Sequence, residues 1–338
     1  MKFGKISKCF TAFVLVSAMV IVSCTGCGKD ESKLTKVTLN EVAHSIFYAP
    51  QYVAIENGYF AEEGIDLELV TGFGADKVMS ALIAGEADIG FMGAESSVYL
   101  YSEGASNYAV NFAQLTQRAG NFLVAREPID NFSWDMLKGK DVLGGRKGGM
   151  PEMVFEYILN KNGIDPANDL NIDQSIDFGS TAAAFSGGQG EFTVEFEPSA
   201  TALESAGEGY VVASLGVDSG YVPYTSYSTT KEYMEKNGDL IQRFTNALQK
   251  GMEYVNTHSP AEIAEVIAPQ FEETDIETIE TIVTRYHEQD TWKNNLVFEE
   301  SSFDLLQNIL SSAGELDNRV PYDKLVDNKF AEKAISKK

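Results

Sequence analysis

The sequence predicts an α/β protein of two lobes, each of parallel strands joined by crossover helices, followed by a helical C-terminal stretch. Three observations predict it. Strand and helix periodicities alternate over roughly the first sixty residues of the folded body. The same grammar recurs between residues 141 and 196, and beyond Asp239 only helical periodicity remains.

The first unit opens at Lys36-Val37-Thr38-Leu39-Asn40, where apolar and polar residues alternate as in a half-buried strand. Pro50 starts a helix at its first turn, and Gly58 stops it after Asn57. Ile65 to Val70 alternates again. From Ala75 to Ala84, Val78, Met79, Leu82 and Ile83 share one helical face, and Gly85 follows as the stop. A short third strand runs from Asp88 to Met92. Strand–helix–strand–helix–strand of this spacing implies parallel strands joined by crossover helices. In the second unit Asp141 to Gly145 reads as a strand and Pro151 to Asn162 as a helix closed by Gly163. A strand near Leu170–Asp173, a short helix at Thr181–Phe185 and a strand at Phe192–Phe196 complete it. Leu240, Ile241, Phe244, Leu248, Met252 and Val255 then trace one apolar stripe. Further helices are expected at about Ala261–Ile267, Asp275–Tyr286, Ser301–Ala313 and Tyr322–Ala334.

The N-terminus predicts export. Lys2, Lys5 and Lys8 precede an apolar run, Phe10 to Val22, too short to span a bilayer core and of the length of a secretory signal. Ile21-Val22-Ser23-Cys24 then resembles a lipobox, in which the cysteine is acylated and becomes the first mature residue. Cys24, with Ile21 three residues before it, fits better than Cys27, which is kept as the alternative. Residues 1–23 are therefore read as signal peptide and 24–35 as a polar, lipid-anchored tether. All three cysteines, Cys9, Cys24 and Cys27, lie in this segment, so the folded body has no disulfide and no thiolate nucleophile. Removing the three signal lysines, with no acid lost, takes the formal charge from −24 to −27. Such a field repels phosphate backbones and argues against nucleic-acid binding.

Five segments carry a resemblance. They are His44–Ile65 (HSIFYAPQYVAIENGYFAEEGI), Ala81–Phe91 (ALIAGEADIGF), Leu137–Lys140 before a strand and Gly-rich loop, Phe196-Glu197-Pro198, and Ala313–Asp317 with Tyr322–Asp327. In this order the chain resembles the ABC-transporter solute-binding proteins for nitrate, sulfonates, taurine and thiamine-pyrimidine precursors. The resemblance implies a type II periplasmic-binding-protein fold, each lobe a mixed, mostly parallel sheet flanked by helices, that closes on ligand by a hinge. It implies lobe 1 at 36–117, lobe 2 at 118–226 and a return to lobe 1 with C-terminal helices at 227–338. It also implies an ABC permease and its ATPase as partners, a small-molecule solute, a monomer, no cofactor and no catalysis. The family usually carries Trp-Glu-Pro after an Asp-containing turn. Here Phe196 replaces the Trp, Gln189-Gly190-Glu191 replaces the turn, and Glu195 sits inside the strand.

In doubly wound sheets ligands lie off the carboxyl ends of the strands. That rule selects His44, Ser45 and Tyr48 after the first strand, Gly72, Phe73 and Gly74 after the second, and Glu95 and Ser96 after the third. In the second lobe it selects Gly148, Gly149 and Met150, then Ser180 and Thr181, then Glu195 and Glu197. Tyr224 joins them as a stacking face for a flat ring, with Tyr221 and Tyr227 as further candidates. Gly148-Gly149 before Pro151 reads either as an anion cradle at a helix N-terminus or as a tight turn. Glu152, in that first helical turn, complements the dipole and is not assigned to ligand. His44, His258 and His287 are too dispersed for a metal site. Glu95 is either a carboxylate for an amine or aminopyrimidine, or a dipole-complementing residue. The carboxylates and aromatics favour a heteroaromatic amine over a bare anion, which Arg118, Arg146 and Lys147 would favour. A sensor module for a membrane receptor and a pyrimidine-synthesising enzyme on the same fold are the alternatives to an importer component.

Overall fold

Ten strands fall into two five-stranded sheets with the same internal order, in a computed structural model that describes residues 34–336. The segment expected as a signal peptide, Cys24, Cys27 and most of the expected tether lie outside the described residues. In chain order the strands are β1 (Thr35–Glu41), β2 (Ile65–Thr71), β3 (Ile89–Met92), β4 (Ala109–Thr116), β5 (Phe122–Ala125), β6 (Asp141–Leu143), β7 (Asn171–Asp173), β8 (Phe192–Glu195), β9 (Tyr210–Ser214) and β10 (Thr225–Thr230). The first sheet runs β2-β1-β3-β10-β4 and the second β7-β6-β8-β5-β9. In each, three strands linked by crossover helices are parallel, and one strand is reversed: β10 between β3 and β4, β5 between β8 and β9. The chain crosses between sheets twice, from β4 to β5 and from β9 to β10, so each sheet borrows its reversed strand from across the molecule.

Burial follows helical cover rather than position in the sheet. Edge strand β2 alternates in exposure, whereas central β3 and the opposite edge strand β4 are buried throughout, β4 beneath helices Glu95–Ser102, Tyr322–Leu325 and Lys329–Ile335. Helix Ala49–Glu56 packs on helix Gly238–Thr257, whose six stripe residues are all buried. Gly251 permits that contact: a Cβ there would sit 2.1 Å from the Pro50 carbonyl oxygen.

Strand β10, Thr-Ser-Tyr-Ser-Thr-Thr, is polar in sequence yet wholly buried, because its hydroxyls are consumed internally. Thr225 pairs with Thr116 (Oγ1···Oγ1 2.5 Å), Ser226 donates to Asn111 Oδ1 (2.7 Å), and Thr229 donates to the Asp88 carbonyl (2.7 Å). A satisfied hydroxyl removes the desolvation cost that otherwise keeps such strands out of cores.

Several sequence expectations are corrected. The helix expected over Tyr322–Ala334 is two, Tyr322–Leu325 and Lys329–Ile335, because Val326 takes extended backbone and bridges Asn111 in parallel. Ile83, expected on the packed face, is 47% exposed, while Val78 and Leu82 are buried. Strand β6 stops at Leu143, two residues short of the expectation, as Gly145 turns to φ 73°. Strand β7 begins at Asn171 rather than Leu170, and β8 ends at Glu195 rather than Phe196. The helix expected at Thr181–Phe185 is longer, Phe178–Ser186. No described helix is long and apolar enough to cross a membrane.

Candidate functional site

The carboxyl ends of β1 and β3 in one sheet and of β6 and β8 in the other open onto a common cleft. Its inner chamber measures about 390 Å³. The first sheet contributes His44, Ser45, Phe47 and Tyr48 after β1, with Gly93 and Glu95 after β3. The second contributes Arg146, Gly149 and Met150 after β6, with Phe196 and Glu197 after β8. Tyr224 and Thr225, where the chain returns to the first sheet, form the floor between them. An outer crevice of about 670 Å³ continues between helices Ala75–Ala84 and Glu95–Ser102, sharing Ala75, Glu95, Arg146 and Gly149.

Glu95 stands at the junction of the two. It opens its helix directly after buried β3, is 5% exposed, and its Oε2 has no hydrogen-bond partner. Burial pushes its carboxyl up to about 7, against a smaller opposing pull from its own backbone N–H. Gly93 makes room for it, since a Cβ at that position would lie 2.1 Å from Oε2.

The other buried carboxylates around the cleft are satisfied. Glu41, at the end of β1, accepts from Gln51 Nε2 (2.7 Å), Tyr52 OH (2.9 Å), Thr71 Oγ1 (3.1 Å) and His44 Nδ1 (2.8 Å). The second nitrogen of His44 donates to the Gln270 carbonyl (2.8 Å). Both His44 nitrogens therefore face acceptors, and the hydrogen bond to Glu41 foremost raises its pKa. Glu195 accepts from the Thr193 (2.6 Å) and Thr181 hydroxyls, and burial still pushes it up to about 7. Glu197 pairs with Arg285 Nη1 (2.5 Å) and accepts from Thr201 N (2.9 Å), while Arg285 Nη2 reaches Glu204 (2.6 Å). Arg285 belongs to helix Ile276–Glu288, so this pair ties the C-terminal helices to the second sheet. Glu152 accepts from the Gly148 backbone N–H (3.1 Å) and from Gln174 Nε2 (2.8 Å). The cradle expected at Gly148-Gly149 thus already holds a carboxylate.

Of the residues selected from sequence, His44, Ser45, Tyr48, Glu95, Gly149, Met150, Glu197 and Tyr224 line the inner chamber. Ser96 and Gly148 line only the outer crevice. Gly72, Phe73, Gly74, Ser180, Thr181 and Glu195 line neither. Phe73 is 74% exposed, at φ 55°, and Gly72 is held beneath Asn40 and Val78. Tyr227 lies in the core, stacked on Phe91 at 4.3 Å, and Tyr221 lies outside under the Arg118 guanidinium. Arg146 and Ala75, which lie in the loops that the carboxyl-end rule picks out after β6 and β2, line the cleft too; Phe47 also lines it and gave no signal beyond its apolar character. Among the described residues no group of three or more His, Cys, Asp or Glu is placed to hold a metal ion.

The family described as NMT1/THI5 like matches residues 46–263. The chain belongs to this NMT1/THI5-like family. It is 45% identical over 326 residues to YtlA of Bacillus subtilis (strain 168), named as a binding protein, covering 96% of this chain and 98% of that one. The solved alkanesulfonate-binding protein SsuA from Xanthomonas axonopodis pv. citri is similar in structure, with TM-score 0.69 at 15% identity, covering 87% of this chain and 98% of that chain. A ligand-binding component of an ABC-type import system from Staphylococcus aureus, solved with zinc bound, aligns with TM-score 0.70 at 14% identity, over 89% and 99% of the two chains. Likeness at these identities establishes the two-lobed periplasmic-binding-protein fold. As an NMT1/THI5-like chain related to binding proteins, it has a solute-binding role and not an enzymatic one. In its cleft, Glu95 is a buried carboxylate left open where both chambers meet.

Proposed function

We propose that the chain is the extracytoplasmic, lipid-anchored substrate-binding component of an ABC importer. It captures a small solute bearing an amine or heteroaromatic base between its lobes and delivers it to the permease. The observation that carries the ligand class is the unpartnered, buried Oε2 of Glu95. A carboxylate in that position is compensated only by a donor supplied from the cleft. Tyr48, Phe47, Phe196 and Tyr224 offer faces and edges on which a flat ring would pack. A bare sulfonate or nitrate fits less well, because Glu152 already occupies the backbone N–H that such an anion would need.

Closure would turn on the two inter-sheet crossings, with lobe 1 at 36–117, lobe 2 at 118–226 and the return at 227–338. A ligand touching both lobes shifts the population toward the closed form. Acylation of Cys24, or alternatively Cys27, would hold the protein on the outer face of the cytoplasmic membrane.

Differential scanning fluorimetry tests the ligand class. Aminopyrimidines are expected to raise the melting temperature and simple alkanesulfonates to leave it unchanged; the reverse pattern overturns the reading. Labelled palmitate should enter the wild-type chain and be lost in Cys24→Ser.

A further inference from the structure

The cleft holds an unpaired cation as well as an unpaired carboxylate. The chain has six arginines, and five are engaged in the structure. Arg118 donates to the Gly216 carbonyl, Arg126 to those of Phe185, Gln189 and Gly190, and Arg243 to that of Glu63. Arg285 pairs with Glu197 and Glu204, and Arg319 with Asp304. Arg146 is the exception. It is exposed, and among the described residues its guanidinium makes no hydrogen bond and no ion pair. In a chain of net charge −24 an arginine without a carboxylate is out of keeping with its surroundings.

Its place gives it a use. Arg146 follows β6 in the second sheet, Glu95 follows β3 in the first, and both line the inner chamber and the outer crevice. They do not pair with each other. The neighbouring backbone cradle is filled by Glu152, held at its other oxygen by Gln174, and Lys147 acts on that same carboxylate. An acidic group entering the cleft would therefore meet the Arg146 side chain rather than the Gly148 backbone.

We propose that the solute is dipolar, placing a base on Glu95 from one lobe and a carboxylate, sulfonate or phosphate on Arg146 from the other. The inference rests on the reading of Glu95 as the anchor for the base. It adds that the ligand supplies the charge bridge between the lobes, which neither a plain amine nor a plain anion provides. Guanidinium suits the second role because its planar fork receives two oxygens of one acidic group.

Two matched triples test it by isothermal titration calorimetry on the full-length protein. One is ethylamine, taurine and ethanesulfonate; the other is 4-aminopyrimidine, 4-aminopyrimidine-5-carboxylate and pyrimidine-5-carboxylate. In at least one triple the dipolar member should bind about tenfold more tightly than either single-function compound, as a charge-assisted contact supplies. Arg146→Ala should abolish that advantage, so that the dipolar member binds the variant no more tightly than its base-only counterpart does. Glu95→Gln should weaken base-only and dipolar compounds together. The proposal is overturned if no dipolar member outperforms its base-only counterpart, or if Arg146→Ala leaves the advantage intact. The underlying reading fails separately if Glu95→Gln leaves the base-only affinity untouched.

Discussion

Replacing Glu95 by Gln removes a charge from a site that does not solvate it, so the ligand-free variant should be the more stable protein above neutral pH. The folded carboxyl titrates near 7, against an ordinary value of 4.5, because burial disfavours its charged form. The favourable protonated state is fully populated below the unfolded value and is lost as pH rises through 7. The shift corresponds to roughly 3 kcal/mol at pH 8.5, or a melting-temperature difference of roughly 5 °C in a chain of this size. Glu195 and Glu152 are also pushed up to about 7, but both remain in the variant and cancel in the difference. Thermal melts of both proteins from pH 5 to 8.5 should start nearly coincident and diverge in favour of Glu95→Gln. A difference that stays constant across the range would refute the argument that this carboxyl is desolvated. The same titration should strengthen binding of a permanently cationic solute by about tenfold between pH 6 and pH 8 in the wild type, and not in the variant.

Substitutions at three further positions separate the cleft from its scaffold. Gly93→Ala, whose Cβ would overlap the Glu95 carboxylate, should expel that group and remove the Glu95 resonance from those titrating near pH 7 in the carboxyl NMR spectrum, leaving Glu152 and Glu195. Gly251→Ala drives a methyl group into the Pro50 carbonyl and should cost roughly 1–3 kcal/mol of stability in urea unfolding. Arg285→Ala strands the buried Glu197 carboxylate and should destabilise by about 3–5 kcal/mol. Arg285→Lys should recover only part of this, since one ammonium cannot reproduce the fork to Glu197 and Glu204.

The first three strands and their helices were legible because β1 and β2 alternate, and because Pro50, Gly58 and Gly85 mark helix ends. Strands β4 and β10 were not. Both are buried on two faces and carry Asn111, Gln114, Thr116 and the Ser/Thr run of β10 where an apolar pattern is expected. Most of their polar side chains find partners, some far along the chain: Asn111 Nδ2 donates to the Leu325 carbonyl, 214 residues away, and no local window contains that information. The broken C-terminal helix has the same cause, since Val326 is held extended by Asn111.

The site was legible as a set of loops but not as a ranking within it. The carboxyl-end rule grouped Glu95, Glu195 and Glu197 as cleft carboxylates, with Glu95 read either as the partner of an amine or as a dipole-complementing residue, and it selected His44 as a ligand contact. Distant segments separate them: Gln270 consumes the second nitrogen of His44, Arg285 consumes Glu197, and Thr181 with Thr193 consumes Glu195. Glu152, set aside as a dipole-complementing residue, takes the Gly148 backbone N–H that an anion cradle would have used. Each assignment follows from counting donors against buried oxygens, since an oxygen without a donor is the costly exception in a folded interior. By that count Glu95 is the carboxylate around the cleft whose requirement the chain leaves unmet. Arg146, which lines the same two chambers from the second sheet, is exposed to solvent and makes no ion pair among the described residues. Its charge is hydrated where that of Glu95 is not, so of the two it is the carboxylate whose titration and stability effect report on the cleft.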